Sequence, residues 1–226
     1  MTEAQTSRIT SLLAAIALSA CATSKPAVST SSAPVTNRQA ESVYVAQARA
    51  DSIRHPYTAA DVEFMSHMIG HHAQAIVMSR WAPTHGASSS VRVLADRIIN
   101  AQQDEIATMQ NWLRDRLQPV PDATPGMKMK MNGMEHVMLM PGMLTDAQMT
   151  QLDAARGPEF DRLFLIFMIQ HHRGAVEMVK DLFASYGAGQ DETVFKFASD
   201  VNVDQTTEIA RMEKILTALT LGITTQ

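Results

Sequence analysis

Two stretches of the chain decide the fold: FMSHMIGHHAQAIVMSR at 64–80 and FLIFMIQHHRGAVEMVK at 164–180. At a constant offset of 100 residues, nine positions are identical or similar, and each stretch contains two adjacent histidines. A second similarity follows each stretch, because the pattern Gln-x-x-Glu-Ile-x-x-Met at 102–109 returns at 205–212. Such self-similarity is the signature of a repeat architecture. Each repeat therefore consists of two segments joined by a short loop.

All four repeated segments are predicted to be helices. From Phe64 to Met78, the apolar residues and one histidine recur at the 4-3-4-3 spacing of a single helix face. Residues that typically start or end helices bound the segments. They are Thr58 with Asp61, Pro83, Gly86, Ser88, Pro119, Pro121, Thr145, Pro158, Gly187 and Gly189.

Two helical hairpins with short loops predict an all-α fold, a ferritin-like four-helix bundle with short extra helices. The bundle is expected over 57–219, with repeats at 57–117 and 158–219. The connection between them, 118–157, is rich in methionine and is predicted to carry a short helix near its end.

The N-terminus predicts export. An apolar run follows Arg8, is too short to span a bilayer permanently, and ends in Leu18-Ser19-Ala20-Cys21, which resembles a lipoprotein lipobox. Residues 1–21 are therefore interpreted as a signal peptide with lipidation at Cys21, on the periplasmic side of the envelope. A plain secretory signal and an ordinary buried helix are the alternatives. Residues 22–56 are interpreted as a flexible tether with a short helix around 38–54.

The amino-acid composition restricts the kinds of partner and metal site that the chain can have. A formal charge of −4 does not favour nucleic acid or an anionic membrane surface as a partner, so membrane contact is expected only through the lipid. The single cysteine excludes an internal disulfide framework and a cysteine-based zinc site within one chain. Methionine and histidine, by contrast, are abundant and clustered.

The duplicated histidine pairs are the main candidates for metal ligands. A buried imidazole needs a partner for each ring nitrogen, so four of them in one bundle would be unfavourable without a ligand. Methionines share the helix face of His71 and of His171, and imidazole with thioether favours copper, Cu(I) in particular. Iron and zinc fit this set less well. The predicted ligands are His71, His72, His171, His172, Met68, Met78, Met168 and Met178. Core packing of the methionines and a proton-responsive role for the histidines are the alternatives.

Two further groups have weaker signals. The connection offers a possible secondary metal set, for which a hydrophobic flap is the alternative: Met127, Met129, Met131, Met134, His136, Met138, Met140 and Met143. Glu105 and Glu208 occupy matching places and could accept a ligand histidine's second N–H. A direct carboxylate–metal bond, as in di-iron proteins, and a solvated helix face are the alternatives. His67 is expected to be peripheral, and His55 and His85 are expected to lie on the surface.

The chain resembles the bacterial family called domain of unknown function 305 (DUF305). The resemblance rests on Phe-Met-x-x-Met-Ile-x-His-His-x-x-Ala at 64–75, its variant at 164–175, Met143-Leu144-Thr145 and the Glu-Ile-x-x-Met pairs. It implies a ferritin-like fold of two two-helix repeats, and copper binding or resistance in the periplasm for some members.

The leading hypothesis is a copper-binding envelope protein with a sequestering, carrier or resistance role, exchanging metal with copper-handling envelope proteins. Enzymatic activity is not predicted, because the sequence contains no recognisable nucleophile–base, phosphate-loop or dinucleotide motif. A ferritin-like di-metal oxidoreductase is the second hypothesis, although no Glu precedes a histidine pair at the Glu-x-x-His spacing. A metal-free helical interaction scaffold is the third.

Overall fold

The computed structural model of the protein describes residues 56–131 and 134–222, together with residues 43, 45–47 and 50. All of them belong to one compact unit, Asn37–Gln226. The predicted signal peptide, Cys21, His55, nearly all of the tether and most of its predicted helix lie outside the described residues.

The chain from residue 56 onward forms long helices interrupted by one small β-hairpin. In chain order the elements are α1 (Ala59–Arg80), α2 (Ser89–Asp115), β1 (Met127–Met131), β2 (Met134–Met138), α3 (Asp146–Ala154), α4 (Pro158–Ala184) and α5 (Glu192–Thr220). Helix α1 packs along α2, α4 packs along α5, and α1 and α4 contact each other. The predicted all-α four-helix bundle of two hairpins, with an additional short helix, is confirmed. None of the described helices is long and apolar enough to cross a bilayer.

The helices start where the sequence predicts. At α1, the Thr58 hydroxyl accepts a hydrogen bond from the Asp61 amide at 3.3 Å, and the Asp61 carboxylate accepts one from the Thr58 amide at 2.6 Å. Ser88 caps α2, Thr145 caps α3, and Pro158 begins α4. Each side-chain cap stabilises its helix by about 1 kcal/mol, because it satisfies an amide that has no partner within the helix.

Matching aspartates hold the two repeats together. Asp61 on α1 accepts a hydrogen bond from the Gly189 amide, in the α4–α5 loop, at 2.7 Å. Asp161 on α4 accepts from the Ser88 amide, in the α1–α2 loop, at 3.1 and 3.2 Å. Because each carboxylate binds the loop of the other repeat, the contact is reciprocal and the halves are related by approximate twofold symmetry.

Two apolar clusters fill the core. The methionine cluster contains buried Met65, Met68, Met109, Met140, Met143 and Met178, with side chains such as Phe64, Trp112 and Phe197. The phenylalanine cluster contains Phe160, Phe164 and Phe167, with Met78, Met168 and Met212. All four long helices contribute to both clusters. The histidine pairs lie between them along α1 and α4.

The connection contains structure that the sequence interpretation did not include. Strands β1 and β2 form a two-stranded antiparallel hairpin, in which Met127 pairs with Met138, Met129 with His136, and Met131 with Met134. The alternation of Met with Lys over 127–131 has the period of a strand, and Asn132-Gly133 is a typical hairpin dipeptide. Both signals were available in the sequence.

Candidate metal centre

Four histidines meet in the middle of the bundle. His71, His72, His171 and His172 are fully buried. The rings of His71 and His171 contact each other across the α1–α4 interface, with centroids 3.9 Å apart and planes tilted by 41°. Within each pair the centroids are 6.2 Å apart, because adjacent helical residues point about 100° apart. The structure thus brings the four predicted histidine ligands together, and we call this group the histidine layer.

The outer histidine of each pair contacts a glutamate from the second helix of its own repeat. His172 Nε2 donates a hydrogen bond to Glu208 Oε2 at 2.6 Å. His72 Nε2 lies 2.8 Å from Glu105 Oε2, although the direction is not that of a good hydrogen bond. Both glutamates are largely covered, with 18% and 21% of their side chains exposed. These contacts are the ones expected of carboxylates that orient a ligand histidine.

A backbone carbonyl orients the third ring. His71 Nε2 lies 3.0 Å from the carbonyl oxygen of Pro141, in the connection. A carbonyl can only accept, so Nε2 carries the proton and the lone pair is on Nδ1. No hydrogen bond of good geometry reaches either ring nitrogen of His171 within the part of the chain that the structure describes.

The Nδ1 atoms share one property. In all four histidines Nδ1 is buried and, among the residues that the structure describes, makes no hydrogen bond. Buried polar atoms in folded proteins are nearly always paired, so four unpaired Nδ1 atoms in one layer require an explanation. A histidine that binds a metal ion typically donates its other N–H to a carboxylate or carbonyl. The residues present therefore fit a metal ion bound through Nδ1.

Burial keeps the central rings neutral. Burial, together with the neighbouring His72, lowers the pKa of His71 from 6.5 to about 3, against the opposing effect of the Pro141 carbonyl. Burial and the adjacent imidazoles, His71 foremost, lower the pKa of His171 well below its ordinary value. A metal ligand must be unprotonated, so both rings are in the form that binds a metal ion at neutral pH.

The four predicted methionine ligands lie on both sides of the histidine layer. Met68 and Met178 belong to the methionine cluster, and Met78 and Met168 to the phenylalanine cluster. All four are buried. Each cluster thus receives one of these thioethers from α1 and one from α4, so sulfur ligands and apolar packing are both compatible with their positions.

The methionines of the connection are divided between two places. Met140 and Met143 are buried in the methionine cluster, and Met143 Sδ accepts a hydrogen bond from the Met140 amide at 3.4 Å. Met127 is partly buried against the same cluster, whereas Met138 is exposed. The other four members of the set lie in the β-hairpin and pair as described above; they are Met129, Met131, Met134 and His136.

Several residues that hold the turn over the histidine layer were not singled out from the sequence. Gln74 donates to the Leu144 carbonyl at 2.9 Å and accepts from its amide at 2.7 Å. Gln170 donates to the Gly142 carbonyl at 3.2 Å. Gly174 lies so close to the turn that a Cβ there would be 1.9 Å from the Pro141 oxygen. No local sequence signal marks these contacts, because they join residues distant in the chain.

Two buried glutamines were likewise given no role, although their duplication was visible. Gln102 and Gln205 lie one helical turn before Glu105 and Glu208 and are almost fully buried. Within the described chain, both side-chain atoms of Gln102 and Oε1 of Gln205 lack hydrogen-bond partners. They add unsatisfied polar atoms to the core near the carboxylates that face the histidine layer.

The expectation that His85 lies on the surface is wrong. Its side chain is buried, its Nε2 lies 2.9 Å from the Asp153 carbonyl, and its ring contacts Trp81 and Phe160. The α1–α2 loop folds inward against α3, which a helix-end position in the sequence did not reveal. His67 lies outside the histidine layer and is mostly covered, with 16% of its side chain exposed.

Comparison with known proteins identifies the family. Residues 61–216 match the domain of unknown function DUF305. The chain belongs to the DUF305 family. A crystal structure of a DUF305 protein from Streptomyces coelicolor, described as secreted, has a TM-score of 0.59 and 30% identity, covering 71% of this chain and 92% of that chain.

Copper-bound structures are among the similar ones. CopM in the Cu(I)-bound form has a TM-score of 0.53 and 26% identity, covering 70% of this chain and 95% of that chain. CopM has also been solved in Cu(II)-bound and silver-bound forms. The uncharacterized protein L153 of Acanthamoeba polyphaga mimivirus is 38% identical over 56 residues. That match spans 25% of this DUF305 chain and only 37% of the viral protein.

Proposed function

We propose that this DUF305 protein binds copper as Cu(I) in the histidine layer and serves in sequestration, transport or resistance rather than catalysis. The observation that carries the proposal is the set of four buried Nδ1 atoms that have no hydrogen-bond partner among the residues that the structure describes. The rings of His71 and His172 are oriented through Nε2 by a carbonyl and a carboxylate, and His72 Nε2 lies close to a second carboxylate. His71 and His171, whose rings contact each other, are the primary ligands, and His72 and His172 flank them.

The chemistry of the surroundings favours a soft monovalent ion. Thioether groups in both clusters, including Met68, Met78, Met168 and Met178, supply the soft ligands that select Cu(I). Counting only His, Cys, Asp and Glu, the described residues contain no group of three or more arranged to hold a metal ion. The proposal therefore relies on imidazole and thioether together, and Cu(I) accepts such a set with few ligands. The similarity to CopM, which has been solved with Cu(I), Cu(II) and silver, supports the same choice.

We further propose that the protein acts outside the cytoplasm. The apolar run before Cys21 and the lipobox support export and lipidation, and one similar protein is described as secreted. Its partners would be copper ions and copper-handling proteins of the envelope. Replacing Cys21 with Ser should release the protein from the membrane fraction, measured by fractionation of the native host. Retention of the variant in that fraction would rule out a lipid at this position.

Anaerobic titration with Cu(I) against the chelator bicinchoninate tests the metal site. The wild type should withdraw Cu(I) from the chelator, and the double variant His71→Ala/His171→Ala should bind Cu(I) far more weakly. The matched control is His85→Gln, which changes a buried histidine outside the histidine layer and should bind Cu(I) as the wild type does. Far-ultraviolet circular dichroism checks that each variant is folded.

Related measurements distinguish copper binding from the two alternative functions, a di-metal oxidoreductase and an interaction scaffold. Parallel titrations with Zn(II) and Fe(II) should show weaker binding than Cu(I). Iron-dependent oxygen consumption would instead support a di-metal oxidoreductase. Failure of the folded wild type to bind any of these ions would favour the third hypothesis, a metal-free interaction scaffold. Unchanged Cu(I) affinity in the double variant would show that copper binds elsewhere.

A further inference from the structure

A cavity of about 300 Å³ opens beside the histidine layer, between the start of α1, the end of α4 and the turn at Met140–Pro141. Its lining includes His67, Met140 and Met178, with Glu63 and Asp181. Both thioether residues are nearly buried, whereas the two acidic residues are exposed. Soft donors thus line the covered part of the cavity, and negative charge is available at its rim.

The histidine in this cavity is suited to ligation. His67 Nδ1 lies 3.8 Å from Glu63 Oε1, one helical turn earlier. Exposed carboxylates raise the local concentration of cations, while imidazole and thioether select a soft one.

The cavity adjoins the histidine layer at Pro141. Pro141 lines the cavity, and its carbonyl oxygen accepts the hydrogen bond from His71 Nε2. The histidine layer has no exposure of its own, so an ion must pass some covering element to reach it. The Pro141 turn is the covering element that both contacts the layer and borders a cavity.

The second repeat does not reproduce these ligands. The positions equivalent to Glu63 and His67 are Leu163 and Phe167, both buried in the phenylalanine cluster. Met140, in the connection, has no counterpart. The cavity is therefore a feature of one end of the bundle, in contrast to the duplicated histidines.

We infer that His67, Met140 and Met178 form an outer Cu(I) site from which the ion passes the Pro141 turn into the histidine layer. The transfer role rests on the proposed copper function. The outer site itself does not require the four histidines, and Met178 is the one proposed ligand that the two sites share.

The outer site can be tested with the histidine layer disabled. In the full chain carrying His71→Ala/His171→Ala, a Cu(I) titration against bicinchoninate should still show one weakly bound ion. Adding His67→Phe and Met140→Leu should abolish it. Phenylalanine is the residue that the second repeat carries at this position, and Met212→Leu is the control for replacing a buried methionine. His67→Phe alone serves if the combined variant does not fold.

Each result decides between the possibilities. Loss of the ion with the outer substitutions, but not with Met212→Leu, supports the outer site even if the histidine layer binds nothing. Equal Cu(I) binding with and without the outer substitutions overturns the outer site. In the otherwise wild-type chain, His67→Phe should slow Cu(I) transfer from bicinchoninate several-fold while leaving the affinity of the histidine layer unchanged. An unchanged rate overturns the transfer role.

Discussion

Acid should destabilise the metal-free protein through its central histidines. The pKa of His71 is about 3 in the folded protein and 6.5 for an unperturbed side chain. Between these values the unfolded chain takes up a proton that the folded chain excludes. The free energy of unfolding therefore falls as the pH drops through 6.5, and the loss is complete near the folded pKa.

The size of the effect follows from these two values. Lowering the pH from about 7 to about 4.5 should remove about 3 kcal/mol through His71 alone. The pKa of His171 is lowered in the same direction, so its protonation on unfolding adds to the loss. The loss through His71 is by itself a substantial part of the 5–15 kcal/mol by which typical domains are stable.

Urea denaturation of the chelator-treated protein at both pH values measures this loss. His71→Ala/His171→Ala should be much less sensitive to acid than the wild type, and each single variant should be intermediate. Met212→Leu, which removes no titratable group from the core, is the control for changes in packing. If the double variant loses as much stability in acid as the wild type, the central rings are not excluded from protonation and the reasoning is refuted.

Three further predictions concern what surrounds the histidine layer. Glu208→Gln should weaken Cu(I) binding by about 10- to 100-fold in chelator competition, because the carboxylate orients a ligand ring; unchanged affinity would assign Glu208 to solvent. Gly174→Ala places a methyl group against the Pro141 carbonyl and should destabilise the fold by about 1–3 kcal/mol in urea denaturation. A neutral result would mean that the turn moves freely. Asp161→Ala removes the acceptor for the Ser88 amide and should destabilise by about 1–3 kcal/mol in the same assay, unless water replaces it.

The sequence predicted the parts of this structure that depend on local signals and on duplication. Caps such as Thr58 and Ser88 fix helix starts through bonds within three residues. The offset of 100 between His71 and His171 required their helices to be equivalent, and equivalent helices in one bundle can face each other. The inward direction of the rings could therefore be predicted from the amino-acid sequence alone.

Other parts depend on contacts that a sequence does not encode locally. The partner of His71 is a backbone carbonyl 70 residues away, and carbonyls have no residue signature. The burial of His85 depends on how its loop packs on α3. The β-hairpin is different, because its period-two pattern was present at 127–131 and was interpreted only for its sulfur content.

The free-energy cost of burying the histidine layer also explains why it needs apolar packing on both sides. A buried polar atom without a partner costs about 1–3 kcal/mol, so four orphaned Nδ1 atoms cost about 4–12 kcal/mol in the metal-free fold. Apolar packing on both sides, from Phe64 and Trp112 at one end to Phe160 and Phe164 at the other, offsets that cost and holds the rings in place. An ion bound to the Nδ1 lone pairs, as proposed above, would satisfy the same atoms. On that proposal the empty bundle is the unfavourable state, which suits a protein that must retain a metal ion.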